Sequence, residues 1–287
     1  MTPNISFEFF PPETLDASFR LWDAVQLLSP FGPNFVSVTY GAGGATRDKT
    51  HDALTTLGTH YGLNVAGHLT CVNATRAETM AVADRYAQAG VTEIVALRGD
   101  PPKGTGPFQP HPDGFESSVE LITALAETGK FQIRVAAYPE RHPEAQSDQS
   151  DLEMLKRKFD AGATSAITQY FFDVDRFLRF RDAAAKLGID GKIIPGILPI
   201  ENWQNVKRFS KRCGTHLPDW LDHAFRNAEA EGMEDLLATS IATEIITELS
   251  QEGVEDFHFY TLNRPTLTRR ILQAIGLSPG DQLQAVA

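Results

Sequence analysis

Short runs of β-branched and aromatic residues alternate with helical patterns along the whole chain. The pattern predicts strands at Ile5–Phe10, Asn34–Tyr40, Asn64–Cys71, Thr92–Arg98, Gln132–Tyr138, Ser165–Phe171, Lys192–Leu198 and Asp256–Tyr260. Helical stretches fall between them, at Thr14–Leu28, Arg47–Tyr61, Thr75–Ala89, Gly114–Glu127, Asp148–Ala161 and Val174–Leu187. Most strand starts recur after roughly 30 residues, the size of a βαβ repeat. The last gap is about twice as long and holds further helices around Asn202–Arg212, Pro218–Glu229 and Met233–Glu252. Runs such as Glu93–Leu97 and Lys192–Leu198 are apolar on both faces, as in a parallel sheet covered by helices. Eight such units predict an α/β fold, a (β/α)8 TIM barrel with extra helices before the last strand, as a single domain over residues 1–287. An open doubly wound sheet is the alternative, but no GxGxxG follows the first strand.

Composition narrows what such a barrel could serve. Lys and Arg total 26 against 37 Asp and Glu, a net charge of −11, so no global basic footprint invites nucleic acid or anionic membrane. An anionic ligand must be held by local groups. No apolar run approaches the roughly 20 residues of a membrane helix, and no charged n-region precedes the first strand. Cys71 and Cys213 form no disulfide framework or zinc pattern, so two reduced thiols, no metal and a cytoplasmic setting are expected.

Barrel enzymes carry their chemistry at the C-terminal strand ends. There the chain presents Glu8, Thr39 and Tyr40, His68 with Thr70, Arg98-Gly99-Asp100, Tyr138, Gln169, and Tyr260 with Arg264. Glu8 is out of phase with Phe7 and Phe9 and is expected to point into the mouth. Aromatic surroundings would raise its pKa and suit it to general-acid work; a structural pairing with a cation is the competing reading. Asp100, on a loop stiffened by Pro101 and Pro102, could stabilise developing positive charge or close an ion pair with Arg98. Asp151, Met154 and Lys158 share a helix face, where phosphate binding with help from His68 and the rigid-loop His142 competes with simple helix-end complementarity. The glycine-rich Tyr40–Ala45 loop is weak evidence, and the spacing of Phe209 favours helix core over a stacking platform.

The same segments resemble one family, the methylenetetrahydrofolate reductases of one-carbon metabolism and methionine biosynthesis. The resemblance rests on Ser6-Phe-Glu-Phe-Phe-Pro-Pro, Val36-Ser-Val-Thr-Tyr-Gly-Ala-Gly-Gly, His68-Leu-Thr-Cys, Ala96-Leu-Arg-Gly-Asp-Pro-Pro and Ala136-Ala-Tyr-Pro-Glu-Arg-His-Pro-Glu. It continues through Leu155-Lys-Arg-Lys-Phe-Asp-Ala-Gly-Ala, Ile167-Thr-Gln-Tyr-Phe-Phe-Asp, Ile194-Pro-Gly-Ile-Leu-Pro and Asp256-Phe-His-Phe-Tyr-Thr-Leu-Asn-Arg, in order, over residues 4 to 277. It implies an FAD-dependent barrel that interconverts 5,10-methylenetetrahydrofolate and 5-methyltetrahydrofolate with NADH or NADPH by ping-pong hydride transfer. Glu8 matches the catalytic acid and Asp100 a catalytic carboxylate beside the flavin. Thr39, Tyr40, Ala42, His68, Arg98, Gly99, Asp100, Tyr138, His142, Asp151, Arg157 and Lys158 match cofactor-binding positions. Gln169, Phe209, Tyr260 and Arg264 match positions for folate and the nicotinamide nucleotide.

Three positions depart from the family pattern. Met154 replaces a common Asn, Phe115 a Tyr and Asn205 a Gln, and the first predicts one lost hydrogen bond to the cofactor. The resemblance also implies a homo-oligomer, dimer or tetramer, and covers the catalytic module alone, without an adenosylmethionine-responsive domain. Another flavin-dependent barrel dehydrogenase, or a flavin-free folate-binding barrel methyltransferase, is the alternative reading.

Overall fold

A computed structural model of the chain describes residues 2–41, 46–101 and 108–280. Eight parallel strands close in sequence order into a barrel: β1 (Asn4–Phe9), β2 (Phe35–Val38), β3 (Val65–Thr70), β4 (Glu93–Leu97), β5 (Gln132–Ala137), β6 (Ser165–Tyr170), β7 (Lys192–Ile197) and β8 (Asp256–Tyr260). The expected barrel is therefore the observed one, with each predicted strand present and its bounds within two residues of those expected. Six helices follow the first six strands: α1 (Leu15–Leu28), α2 (Arg47–His60), α3 (Arg76–Gln88), α4 (Ser118–Glu127), α5 (Asp148–Asp160) and α6 (Val174–Lys186). Three more, α7 (Trp203–Cys213), α8 (Asp219–Glu231) and α9 (Glu234–Gln251), separate β7 from β8, and α10 (Pro265–Ala274) ends the repeat.

Local chemistry explains where the helices begin. Thr75 and Ser147 close capping boxes at the starts of α3 and α5, and Thr14, Asp173 and Asn202 cap α1, α6 and α7 through their side chains. The helix expected from Gly114 begins instead at Ser118; the segment before it runs across the barrel rim and accepts from Arg76 through Gly114 O. The pattern set no bounds for α10, although Pro265 at its first turn and buried Leu267, Ile271 and Leu272 are a helix signature.

Strict alternation sorts the strand residues. Ile5, Phe7 and Phe9 of β1 and Phe257 and Phe259 of β8 point outward into the continuous core beneath the helices. Phe35, Ala66, Val95, Ile167 and Ile194 point inward and form a separate cluster inside the barrel. An eight-stranded barrel is just wide enough for side chains to fill, so polar groups in the same phase must find partners there. At the floor, Arg134 forks onto Glu93 Oε2 with Nε and Nη2 each at 2.6 Å, and its Nη1 donates to Ser165 Oγ at 2.9 Å. Its guanidinium lies 3.7 Å from the Phe35 ring centroid, and Phe35 stacks on His258 at 5.5 Å and 11°.

Near the top of this column Tyr260 Oη donates to Thr168 O at 2.7 Å, with its ring laid across Gly196. A Cβ at Gly196 would sit 2.2 Å from Thr168 O and 2.5 Å from Tyr260 Cε2. Gly196→Ala is expected to cost about 1–3 kcal/mol, as overpacking does, and to shift the urea midpoint accordingly. Unchanged stability would mean that the Tyr260 ring has another place to go.

Candidate active site

Glu8 sits on the barrel axis with its carboxyl between two imidazoles. Its Oε2 lies 3.4 Å from His68 Nε2 and 3.9 Å from His258 Nε2, and neither Nε2 has a hydrogen-bond partner among the described residues. Burial pushes the carboxyl up, but the pull of the His258 and His68 imidazoles outweighs it and holds Glu8 at about 2. This corrects the raised pKa expected from the surrounding aromatic residues. Phe7 and Phe9 face the outer core, so Glu8 meets imidazoles and not rings. His68 also proves to be a buried strand residue of β3, anchored through its carbonyl by Tyr86 Oη at 3.1 Å, and not a loop histidine.

Beside this cluster, a cavity of about 590 Å³ opens along the C-terminal ends of β3 to β5. It brings together Tyr40, Arg98, Gly99, Asp100, Tyr138, His142, Asp151 and Lys158 of the expected set. Several of them are held by neighbours. Arg98 pairs with Glu144 at 2.6 Å, not with the exposed Asp100, and its guanidinium covers the Phe108 ring. The backbone N–H of His142 donates to Asp151 Oδ2 at 2.7 Å, which fixes the rigid loop to the start of α5. Glu144 N–H donates to His142 Nδ1 at 3.1 Å, and the His142 ring meets Tyr138 edge-on at 4.6 Å. Lys158 Nζ donates to Ala136 O at 2.8 Å; burial brings it down to about 8, against the opposing pull of Asp151.

Gly99 takes φ 86°, and a Cβ there would meet Val72 Cγ1 at 2.6 Å, so only glycine lets the chain pass so close at this corner. Tyr40 lines the cavity from the opposite side, its phenol pushed up by burial. Thr39 is half-buried just beyond β2, its N–H still bonded to Phe9 O at 2.9 Å. Ala42 lies outside the described residues.

Arg157 does not join this group. It is exposed and does not line the cavity, because the turn that aims Asp151, Met154 and Lys158 inward carries it outward. Met154 does line the cavity, and a thioether there offers no strong hydrogen bond. Phe115, the second departure, is a buried core ring under Arg76, so a hydroxyl there would need a buried partner. Asn205 is bound into the first turn of α7, its N–H donating to Asn202 Oδ1 at 2.9 Å.

The remaining expected residues ring the other side of the mouth. Gln169 Oε1 accepts from Tyr170 N–H at 3.0 Å. Phe209 is 42% exposed and stacks on Tyr170 at 5.9 Å and 18°, so it is not the helix-core ring that spacing alone favours. Arg264 is exposed at the start of α10, close enough to Glu201 to draw that carboxyl down against burial. Ser6, His258 and Glu144 escaped the sequence reading, although Ser6 and His258 share the period-two phase of Glu8 and Tyr260. Cys71 and Cys213 are both free thiols.

Eight parallel strands, a carboxylate inside the barrel and a cavity at the strand ends lined by Arg98 and Lys158 together with four carboxylates define a barrel enzyme. The profile described as methylenetetrahydrofolate reductase matches residues 1–276. The 5,10-methylenetetrahydrofolate reductases of Salmonella typhimurium and Escherichia coli K12 are each 46% identical, over 96% of this chain and 92% of their own. The chain belongs to the methylenetetrahydrofolate reductase family, and is thereby an oxidoreductase of folate metabolism. Methylenetetrahydrofolate reductase (NADH) 1 of Arabidopsis thaliana is 35% identical over 95% of this chain and 48% of its own length. Among solved structures, an uncharacterized Clostridium thermocellum protein that binds two copies of 5-methyl-5,6,7,8-tetrahydrofolic acid has a TM-score of 0.59 at 15% identity. It covers 95% of this chain and 94% of its own, a likeness of fold alone.

Lys158 supplies a stability test. Its folded pKa of about 8 lies below the ordinary 10.5, so the unfolded chain binds more protons between those values and stability rises with pH there. Lys158→Met should lack this rise. Melting temperatures of both proteins from pH 7.5 to 10 should show the wild type gaining relative to the variant; parallel curves would show that Lys158 titrates normally.

Proposed function

We propose that the chain reduces 5,10-methylenetetrahydrofolate to 5-methyltetrahydrofolate, with FAD as bound carrier and NADH or NADPH as electron donor, in two half-reactions that share one binding face. The observation that carries this reading is the Glu8 cluster inside the barrel together with a cavity at the C-terminal strand ends that has Arg98 and Lys158 among its lining residues.

The cavity suits a dinucleotide. Arg98 and Lys158 stand on its wall to meet phosphates, Gly99 allows close approach of a planar ring, and Thr70 Oγ1 is buried there without a partner. Tyr138, His142 and Asp151 would hold the ribityl and adenosine portions, with Met154 reducing the hydrogen bonds on offer. When bound, the flavin would take hydride from the reduced nicotinamide and pass it to the one-carbon unit of the folate. Nothing further in the mechanism asks the protein for redox chemistry.

The chain's own residues handle binding and protons. Phe209, exposed and backed by Tyr170, offers one face for nicotinamide and pterin in turn, and Gln169 and Tyr260 orient whichever is present. Arg264 meets the carboxylates of the folate tail. Docked folate strips water from Glu8, which lifts the carboxyl from its low resting value and lets it take a proton. Glu8 then protonates the folate at N10, which opens the five-membered ring to an N5-iminium cation. Asp100, exposed on its stiffened turn, stabilises that cation. We place this activity in the cytoplasm, in a homo-oligomer.

Two measurements test the proposal. The purified protein should be yellow, and its absorbance should bleach anaerobically with NADH or NADPH and return with 5,10-methylenetetrahydrofolate. A colourless protein that binds folate would point to a flavin-free methyltransferase instead. In stopped flow, Glu8→Gln should keep flavin reduction by the nicotinamide and lose folate-dependent reoxidation by more than the roughly 10²–10⁴-fold typical of a general acid. Equal loss in both half-reactions would sink the acid assignment. Phe209→Ala should raise the apparent KM for both ligands.

A further inference from the structure

We propose that Ser6 and His258 are positioning residues for Glu8: the Ser6 hydroxyl fixes the His258 tautomer, so that a neutral imidazole N–H is aimed at the carboxylate. This rests on Glu8 being the acid, and deepens that reading.

The geometry begins with barrel closure. β1 and β8 pair with Ser6 opposite His258 and Glu8 opposite Tyr260, so all four side chains project into one column. Ser6 Oγ lies 2.8 Å from His258 Nδ1 and 3.2 Å from Phe257 O. A hydroxyl has a single proton, so Ser6 donates either to Phe257 O or to Nδ1, and we assign the proton to Nδ1, the nearer of the two atoms. With Nδ1 accepting, the proton of neutral His258 resides on Nε2, which faces Glu8 Oε2 at 3.9 Å and has no hydrogen-bond partner among the described residues. The opposite tautomer would set a lone pair against a carboxylate.

The ring cannot turn away, because it is fully buried, stacked on Phe35 and met edge-on by Tyr260 at 5.4 Å and 87°. Charging it is also disfavoured. Burial opposes the imidazolium, and Arg134 of β5 and His68 of β3 add to that, while Glu8 of β1 opposes them. Tyr260 of β8 is held in its neutral phenol form. Arg134 is already neutralised by Glu93, so Glu8 is the anion left in the column. A neutral N–H donor at His258 holds the carboxylate less tightly than an ion pair there would. Glu8 is therefore ionised at rest yet able to accept a proton once substrate excludes water.

Nitrogen-15 NMR of the histidine-labelled protein tests the tautomer without turnover, with the His258 signals assigned by their loss in His258→Gln. The expected pattern is Nε2 protonated and Nδ1 bare, unchanged from pH 6 to 8; an Nδ1–H tautomer or an imidazolium would overturn the proposal. Ser6→Ala should populate both tautomers and move the limb of the folate half-reaction on which Glu8 loses its proton, the alkaline one, to higher pH by about one unit, the scale of one hydrogen bond. Ser6→Thr, which keeps the hydroxyl, should restore the wild-type profile. An unmoved limb in a folded Ser6→Ala protein overturns the proposal even if Glu8→Gln is inactive. If Glu8→Gln keeps folate turnover, the acid reading falls and takes the pH argument with it, while the NMR pattern still decides the tautomer.

Discussion

The rest of this structure depends on one constraint: an eight-stranded barrel has an interior filled by its own side chains, so any polar group placed there must be answered from within. Arg134 answers Glu93 and Ser165 at the floor. Above them Phe35 and His258 stack, and Glu8 meets His258 and His68 near the top. The column runs from a charge pair at the floor to a carboxylate set between two imidazoles. Only the upper end is left incompletely paired, and that is the end open to ligands.

The mouth follows a different logic, because its groups are held by polar partners around an open cavity. Glu144 holds Arg98, Asp151 holds the His142 loop, and Ala136 O receives Lys158. Acidic residues thus act as scaffolding around Arg98 and the His142 loop, and they line the same cavity as Arg98 and Lys158. The burial that brings Lys158 down also means that a phosphate could draw it back to full charge, so binding and protonation would be coupled there.

Much of this was legible in the sequence. Strand alternation identified Glu8 as inward, and the offsets of three and seven along α5 identified the face shared by Asp151, Met154 and Lys158. The same helical geometry, applied one residue further, would have turned Arg157 outward. Phe209 shows the limit of periodicity: its spacing suits a core position, yet the extra helices between β7 and β8 leave the ring open over Tyr170. The low pKa of Glu8 has a related cause. Neighbours along a strand point to opposite faces, so the phenylalanines beside Glu8 in sequence are not its neighbours in space.

By itself, then, the sequence determined the number and order of the strands, the phase of each and the motifs at their ends, because these are local properties of period and turn chemistry. Tertiary structure alone decided which inward residues meet. Ser6 and His258 are 252 positions apart and become partners only because β8 closes onto β1 in one register. The ionisation of Glu8 follows from that closure, since a buried group titrates according to what surrounds it and not according to what precedes it in the chain.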